Sequence, residues 1–564
     1  MTSTAAATAR LLADAGVDRV FGLPGGEILV LIDELRRAGI DFVLMRHEAN
    51  AGLAAAVYGK LRGQPGVVLT TLGPGAANLM LPLSNAYLDQ EPLLAISAQI
   101  PDEYPAEQTH QLLPLHDVYR PITKFVAKIT ADTVHDVVPR ALAACMERPF
   151  GASYLTLSAR AALEPAGGGP HASQVAGPHA SRGAGGPPAS DGDPLAAFAG
   201  LTARMRKMAP ALVFVQLMMK LGNAARPLVV IGLGVDPRNA AHVRRWVEEW
   251  DLPVAVTPKV KGIVDETAAN FVGVVGGMAA DDLMCEALAS ADVLIGLGLD
   301  PVEIDRTWHV DLPIDWILEA PHVDGRLPAR VALFDHAQML DTLLKQPPPA
   351  KWKAPFAHVQ RQRRDRLAGP SRGAATERGT GSPTMWPGDI VRALAGVLPP
   401  QTIVTTDVGS HKYLFGQFWP SRVPQTFWMS NGLSGMGYGL SAAIGASLAR
   451  RTTPVLAAVG DGGFSMNAQE LETAERVGSR FVTVVVEDGS YSLIKLSQEG
   501  KKLDRYGVDF SPIDTVKMAE ACGVAGLRTT DPDELAAAAR GAIEARRNLV
   551  IAVPVDYADY RRIF

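Results

Sequence analysis

Residues 455–478 read VLAAVGDGGFSMNAQELETAERVG, and this stretch decides the fold. It begins with a continuous apolar run, turns at Gly-Asp-Gly-Gly, and continues with apolar residues at helical spacing. A fully apolar strand that leads directly into a helix is typical of a parallel sheet buried on both faces. The stretch therefore predicts one strand–turn–helix unit of an α/β domain.

The same pattern recurs along the 564-residue chain. Apolar runs that lead into helical segments, most of them ending in Gly, occur at 66–73, 92–99, 227–234, 293–299, 402–409 and 481–489. Because strands that alternate with helices form parallel sheets, we predict an α/β protein with three doubly wound parallel-sheet domains. The predicted bounds of these domains are 1–162, 200–348 and 385–564.

Two segments interrupt the pattern of strands and helices. Residues 163–199 are rich in Gly, Pro, Ala and Ser and contain the sequence GPHAS twice. Residues 349–384 include a polar, Gly-rich stretch at 365–383. Such compositions bury too little apolar surface to offset the entropy of ordering, so we predict linkers at 163–199 and 349–384. We interpret the repeated GPHAS as duplicated linker sequence rather than as a functional repeat.

Charge and composition exclude several classes of protein. The net charge of −5 is mild, so we expect no binding to nucleic acid or to a membrane surface. No apolar run reaches the roughly 18 residues of a membrane span, and the N-terminus lacks the apolar stretch of a signal peptide. The three cysteines are widely separated, which is typical of a protein of the reducing cytoplasm.

The Gly-Asp-Gly-Gly turn carries the clearest chemical signal. Glycines let a backbone approach a phosphate, and the helix that follows presents free N–H groups. Asp461 would repel a bare diphosphate, but it is well suited to hold a hard cation that bridges to the phosphates. Asp488 follows the next apolar run, 27 positions later, at the end of the neighbouring predicted strand. The sequence therefore predicts a metal–diphosphate clamp at Asp461 and Asp488.

These residues carry a resemblance to a known family. Gly-Asp-Gly followed about 27 residues later by Asn-Asn is the thiamine-diphosphate fingerprint, which this chain matches at Gly-Asp-Gly. Further motifs occur in family order: RHEANAGLAA (46–55), GPGAANL (73–79), DVGSHKYLF (407–415) and SNGLSGMGYGLSAAIGA (430–446). The chain resembles the thiamine-diphosphate-dependent acetolactate synthase-like family over essentially its whole length. Its C-terminal part is most similar to the catabolic, flavin-independent acetolactate synthases. The resemblance implies a pyrimidine-binding domain, a degenerate Rossmann-like middle domain and a diphosphate-binding domain, in that order.

The resemblance implies roles for individual residues. Glu48 matches the glutamate that hydrogen-bonds N1′ of the aminopyrimidine, where an acid is needed as proton donor. Met436 matches the apolar wedge that holds the cofactor bent, and the carbonyl of Ser434 would accept from the 4′-amine. Asp461, Asp488 and the Ser490 carbonyl would bind Mg²⁺. The other positions that match cofactor-binding residues are Gly25, Gly409, Ser410, His411, Gly462, Gly463 and Tyr491.

Four further positions match the substrate side of the family's site. His110 and Gln111 match a stretch that faces the substrate, although a loop histidine with no role is an equally good interpretation. Leu493 and Ile494 match an apolar lip over the thiazolium, with core packing as the alternative. The charged, aperiodic segment 495–509 predicts a mobile lid.

The chain departs from the family at several places. Glu487-Asp488 stands where Asn-Asn is usual, and the extra negative charge beside a diphosphate should carry a cost. Ser497 stands where the biosynthetic enzymes have a tryptophan that shapes the acceptor pocket. GLGVDP (232–237) is only a partial glycine-rich loop, and the family's flavin-binding motif has no match. We therefore expect thiamine diphosphate and Mg²⁺ as cofactors and no FAD.

The implied reaction is decarboxylation of a 2-oxo acid, pyruvate by default, and carboligation of the resulting enamine to a second carbonyl compound. A 2-oxo-acid decarboxylase or a 1,2-diketone-cleaving enzyme, possible also in specialised metabolism, is the alternative. A non-enzymatic scaffold is disfavoured because Glu48, Asp461 and Met436 are all present. The family also implies a homodimer or homotetramer with active sites between subunits.

Overall fold

The computed structural model describes residues 2–104, 109–167, 210–303, 314–322, 330–369 and 383–564. These residues form three six-stranded sheets in which every strand pair is parallel. Helices cover both faces of strands that are almost entirely buried in the sheet centres. The predicted fold class, three doubly wound α/β domains, is confirmed.

The first domain has the strand order β2-β1-β3-β4-β6-β5. Its strands are β1 (Arg19–Gly22), β2 (Asp41–Leu44), β3 (Gly66–Thr70), β4 (Leu93–Ala98), β5 (Phe125–Ile129) and β6 (Ala152–Leu157). Its helices are α1 (Thr4–Asp14), α2 (Leu29–Arg37), α3 (Glu48–Arg62), α4 (Pro74–Ala77), α5 (Met80–Leu88), α6 (Leu115–Tyr119), α7 (Val134–Met146) and α8 (Ala159–Leu163).

The middle domain has the order β12-β11-β10-β7-β8-β9. Its strands are β7 (Pro227–Ile231), β8 (Val254–Val256), β9 (Phe271–Val274), β10 (Val293–Leu297), β11 (Ile314–Leu318) and β12 (Val331–Leu333). Its helices are α9 (Pro210–Asn223), α10 (Ala240–Glu249), α11 (Asp281–Ser290), α12 (His336–Leu343) and α13 (Ala357–Ala368).

The third domain has the order β14-β13-β15-β16-β18-β17. Its strands are β13 (Ile403–Thr406), β14 (Phe427–Met429), β15 (Val455–Gly460), β16 (Val482–Glu487), β17 (Ala525–Arg528) and β18 (Leu549–Pro554). Its helices are α14 (Pro387–Val397), α15 (Ser410–Phe418), α16 (Tyr438–Ala449), α17 (Asp461–Asn467), α18 (Glu470–Val477), α19 (Ser492–Gly500), α20 (Thr515–Ala521), α21 (Pro532–Glu544) and α22 (Tyr560–Ile563).

The first and third domains share a hydrophobic core through two helices rich in small residues. Helix α3 of the first domain packs on α16 of the third, and most residues of both helices are buried. Small side chains let the two backbones come close together. At the crossing, Gly445 faces the carbonyl oxygen of Ala54. This contact fixes how the two domains sit relative to each other.

The predicted linkers fall partly outside the described residues. Residues 168–199, with both copies of GPHAS, and residues 370–382 belong to the part of the chain that is not described. Within the predicted linker 349–384, helix α13 is ordered against the middle domain, where the Gln360 side chain donates to the carbonyls of Ala269 and Phe271. Among the described residues, no helix is both long and apolar enough to cross a membrane.

Candidate active site

The polar residues of the third domain gather at the carboxyl edge of its sheet. Strands β13, β15 and β16 are neighbours. A short loop leads from β13 and from β16 into a helix, whereas β15 ends at Gly460 and α17 begins at the next residue, Asp461. The segments at these three strand ends are 407–411, 460–463 and 488–491. In open parallel sheets this edge is where ligands bind.

Asp461 and Asp488 form a half-buried pair of acids at these strand ends. Asp461 accepts hydrogen bonds from the backbone N–H of Gly462 at 2.9 Å and of Gly489 at 2.8 Å. Burial, followed by the charge of Asp488, raises the pKa of Asp461 to about 7. Burial also raises the pKa of Asp488 to about 6. A divalent cation between the two carboxylates would relieve this destabilisation of their charged forms.

The protein supplies only part of a metal's coordination shell at this site. Within the described ranges, no group of three or more His, Cys, Asp or Glu side chains surrounds a common position. Ser490 lies next to the pair, and its backbone N–H donates to Asp488 at 3.1 Å. Two carboxylates with a backbone carbonyl fit a cation that takes its remaining ligands from phosphate and water.

His411 lies between two glycines that come from neighbouring loops. A Cβ atom added to Gly409 or Gly460 would lie 2.7 Å or 2.9 Å from the imidazole Cε1. Burial lowers the pKa of His411 to about 3, and its Nε2 atom has no hydrogen-bond partner among the described residues. An anionic oxygen beside Nε2 would raise that pKa and accept a hydrogen bond. The site therefore fits a phosphate group.

Ser410 connects this loop to the helix that begins the predicted lid. Its hydroxyl lies 2.7 Å from the hydroxyl of Ser492, at the first turn of α19. Both side chains are buried. Because α19 spans Ser492–Gly500, the first part of the predicted lid 495–509 is helical.

The side chains of Tyr491 and Met436 pack against the backbone of Gly462, where a larger residue would not fit. A Cβ atom at this position would lie 2.9 Å from Cε1 of Tyr491 and 3.6 Å from Cε of Met436. A Cβ atom at Gly463 would lie 2.7 Å from a carboxylate oxygen of Asp407. The structure thus brings together four predicted cofactor-binding residues at one point of the sheet edge.

Asp407 is a residue of this site that the sequence interpretation missed. Both of its carboxylate oxygens accept from the backbone N–H of Gly437, at 2.9 Å and 3.0 Å, and one also accepts from Val408 at 2.7 Å. Burial raises its pKa to about 6. These bonds fix the backbone directly after Met436. The signal in the sequence was an acidic residue at the end of the apolar run TIVTTDVG.

Ser434 lies in the same loop as Met436. Its backbone has a φ of 56°, and its hydroxyl accepts from Lys412 Nζ at 3.0 Å and donates to the Asn431 carbonyl at 3.1 Å. These bonds use the side chain of Ser434 within the loop. A role in ligand binding would therefore fall to its backbone carbonyl.

Glu48 lies in the first domain, as the first residue of α3. Its carboxylate is 9% exposed and accepts a hydrogen bond from Asn78 Nδ2 at 2.9 Å. Gly75 borders the same carboxylate, since a Cβ atom added to this glycine would lie 3.4 Å from Oε1 of Glu48. Gly25 also lies in this domain, against the side chain of Thr71. The structure thus divides the predicted residues between the first and third domains.

Gln111 stands over the loop that borders Glu48. Gly73 lies two residues before Gly75. A Cβ atom added to Gly73 would lie 2.8 Å from Cβ of Gln111. Gln111 and His110 are both exposed. Residues 73–75, at the start of α4, therefore lie between Gln111 of the predicted substrate-facing segment and the buried Glu48 carboxylate.

Leu493 and Ile494 differ in their exposure. Ile494 is 54% exposed, whereas Leu493 is half-buried. A side chain this exposed is not part of the core, so core packing is excluded for Ile494 within this chain. The lip role of Ile494 stays a prediction, and for Leu493 both interpretations stay open.

Comparisons with known proteins agree with this division of residues. Models of the thiamine pyrophosphate enzyme family match its N-terminal TPP-binding domain to residues 2–118, its central domain to 215–318 and its C-terminal TPP-binding domain to 407–553. An acetolactate synthase of Bacillus subtilis is 30% identical over 97% of this chain and 92% of its own length. A catabolic acetolactate synthase of Raoultella terrigena is 29% identical over 96% of this chain and 93% of its own length.

Proposed function

The chain belongs to the thiamine-diphosphate-dependent acetolactate synthase-like family. From this membership we propose that it decarboxylates a 2-oxo acid, pyruvate by default, and joins the resulting enamine to a second carbonyl compound. The observation that carries the proposal is the third-domain cluster of His411, Asp461 and Asp488 around bare glycine backbone. With pyruvate as both donor and acceptor, the product is 2-acetolactate.

The third domain would hold the diphosphate end of the cofactor. Bound thiamine diphosphate supplies a carbon nucleophile that also accepts the electron pair released when CO₂ leaves. His411 and the backbone N–H of Gly463 would bind phosphate oxygens, whereas the N–H of Gly462 already donates to Asp461 and would reach the phosphate only by leaving that bond. Asp461, Asp488 and the Ser490 carbonyl would hold Mg²⁺ against them. Met436 would contact the middle of the cofactor, and the hydrogen bonds from the next residue, Gly437, to Asp407 hold its backbone in place.

Glu48 would hold the proton at N1′ of the aminopyrimidine. Its burial and its hydrogen bond from Asn78 keep the carboxyl group in one orientation at the start of α3. A positioned acid of this kind contributes on the order of 10²-fold or more to proton transfer. Gln111 would contact the substrate from the loop above Glu48.

We propose that the middle domain binds no FAD. The glycines of its partial dinucleotide loop are occupied by packing: a Cβ atom at Gly232 would lie 2.5 Å from Cα of Leu299, and one at Gly234 would lie 2.9 Å from the Gly298 carbonyl oxygen. The backbone N–H of Leu233 in the same loop donates to the buried Glu303 carboxylate at 2.7 Å. A loop used in this way offers little backbone to a pyrophosphate.

We further propose that the active enzyme is a homodimer or a dimer of dimers. The family resemblance implies that the cofactor lies between subunits, so the first domain of one subunit, with Glu48, would face the third domain of another, with the phosphate-binding cluster. A monomeric sedimentation profile of fully active protein would contradict this arrangement.

The three free cysteines also support a cytoplasmic location.

The reaction is tested by incubating the purified protein with thiamine diphosphate, Mg²⁺ and pyruvate. We expect 2-acetolactate, and acetaldehyde in its place would identify a non-ligating decarboxylase. Glu48→Gln should lower kcat by about 10² or more, because the amide carries no acidic proton, while cofactor binding measured by calorimetry is retained. Glu544→Gln, on an exposed position of α21, is the matched control. Undiminished turnover of the Glu48→Gln variant would refute the role of Glu48.

A further inference from the structure

The acidic pair Glu487-Asp488 places one carboxylate more than the metal clamp requires at the edge of the third sheet. Asp488 belongs to the clamp, but Glu487 is the last residue of β16 and stands immediately before it. Its side chain is only 12% exposed. After burial and the charge of Asp488, the negative charge of Glu487 is a further cause of the raised pKa of Asp461. A diphosphate bound at this edge would therefore meet a third protein carboxylate.

Arg528 pairs with this extra carboxylate from two strands away. It is the last residue of the edge strand β17, and β18 lies between β17 and β16. Its two terminal guanidinium nitrogens contact the two carboxylate oxygens of Glu487 separately, with Nη2 lying 3.0 Å from Oε1. A two-point contact of this kind fixes both side chains at the carboxyl edge of the sheet.

The pair is poorly suited to stabilising the fold. The Arg528 side chain is 45% exposed, and partly exposed ion pairs contribute little to folding. Its position next to the clamp gives it another consequence, because an uncompensated charge in a partly buried site acts on neighbouring charges far more than it would in water. The guanidinium offsets the charge of Glu487 where an anion is to bind.

We propose that Arg528 is a positioning residue of the cofactor site, which neutralises Glu487 so that the diphosphate and its cation bind beside an acidic pair. The proposal rests on the proposed function. Arg528 contacts Glu487 rather than the cofactor, so its removal should weaken cofactor affinity and leave turnover at saturating cofactor close to that of the wild type.

A double-mutant cycle tests the proposal. Thiamine diphosphate is titrated into cofactor-free protein at fixed Mg²⁺ concentration, with heat or tryptophan fluorescence as the readout. Arg528→Met should raise the Kd about tenfold, which corresponds to about 1.4 kcal/mol. Glu487→Gln alone should bind as tightly as the wild type or more tightly. The double variant Glu487→Gln/Arg528→Met should recover most of the lost affinity, because no unpaired charge remains.

Controls separate this effect from others. Arg540→Met removes an exposed arginine from α21 and should leave the Kd unchanged. Arg528→Lys keeps the charge and should lie between the wild type and Arg528→Met, which guards against a folding defect in the latter. The tenfold difference should shrink as salt is added.

The possible outcomes are distinguishable. Wild-type affinity in Arg528→Met would overturn the role of Arg528, and so would a double variant as weak as Arg528→Met alone. If the wild-type protein itself takes up no thiamine diphosphate in the presence of Mg²⁺, the proposed function fails and not only this inference.

Discussion

At the residue scale, burial sets the charge state of the cofactor loops. Burial lowers the pKa of His411 and raises the pKa of Asp407 and of Asp461, so in each case it favours the neutral form. Groups of this kind destabilise the protein where their unfolded forms are charged. A bound ligand of opposite charge removes the destabilisation, which is one reason why such groups concentrate at functional sites.

His411 predicts an acid-sensitive fold. Its pKa is about 3 when folded and 6.5 in its ordinary state, so only the unfolded chain takes up the proton as the pH falls below 6.5. Stability should therefore be fully present above pH 6.5 and should fall by about 1.4 kcal/mol per pH unit below it. Between pH 6.5 and pH 5 this amounts to about 2 kcal/mol.

Urea denaturation of cofactor-free protein at pH 5 and pH 6.5 measures this effect. His411→Gln should lose the contribution, so the wild type and the variant should differ in their pH dependence by about 2 kcal/mol. Asp407 has the opposite effect. Its pKa is raised from the ordinary 3.8 to about 6, so it contributes less stability as the pH rises through this range. The comparison between variants cancels that term, and parallel pH profiles would show that His411 titrates normally.

At the element scale, the crossing of α3 and α16 depends on small residues. Helix α3 reads EANAGLAAAVYGKLR and begins with Glu48, so the same helix that places the acid also joins the two cofactor-binding domains. Helix α16 follows directly after the Met436 loop. A shift of one helix against the other would therefore displace both Glu48 and the Met436 loop, the two parts that this chain contributes to the cofactor sites.

Gly445→Ala should destabilise the protein through this crossing. The added Cβ atom would lie 2.2 Å from the carbonyl oxygen of Ala54, so the helices must separate, at a cost of about 1–3 kcal/mol. Gly541→Ala in α21 is the matched control, since nothing lies within 4 Å of its Cβ position. The control should be neutral or stabilising by up to about 1 kcal/mol through helix propensity. Equal unfolding midpoints for the two variants would contradict this account of the crossing.

At the scale of the whole molecule, a buried charge cluster joins all three domains. Lys259 of the middle domain contacts Asp89 at 3.2 Å and Glu91 at 3.0 Å in the first domain, and it donates to the Met429 carbonyl in the third at 2.9 Å. Asp89 also accepts from the backbone N–H of Gly432 at 2.7 Å. The cluster thus anchors the start of the loop that carries Met436.

Lys259→Met should destabilise the protein by about 3–5 kcal/mol, because it leaves two buried carboxylates without their cation. Lys345→Met, at an exposed position of the middle domain, should change stability by less than about 0.5 kcal/mol. Denaturation of the cofactor-free variants measures both. A Lys259→Met variant as stable as its control would show that the cluster is compensated in another way.

The sequence by itself determined the fold class and the main chemical residues. Strand ends, glycine turns and helix starts are local features, so the runs that end at Asp461 and Asp488 and the helix start at Glu48 could be recognised from neighbouring residues alone. Their proximity also followed, since adjacent parallel strands end at one sheet edge.

Only the tertiary structure decided which residues support that site. Arg528 and Glu487 lie 41 residues apart, and Lys259 and Asp89 lie 170 apart. Asp407 acts on a backbone N–H 30 residues away. No periodicity or turn chemistry encodes such pairs, because their energy arises from charges and dipoles that meet only after the sheets have packed and water has left.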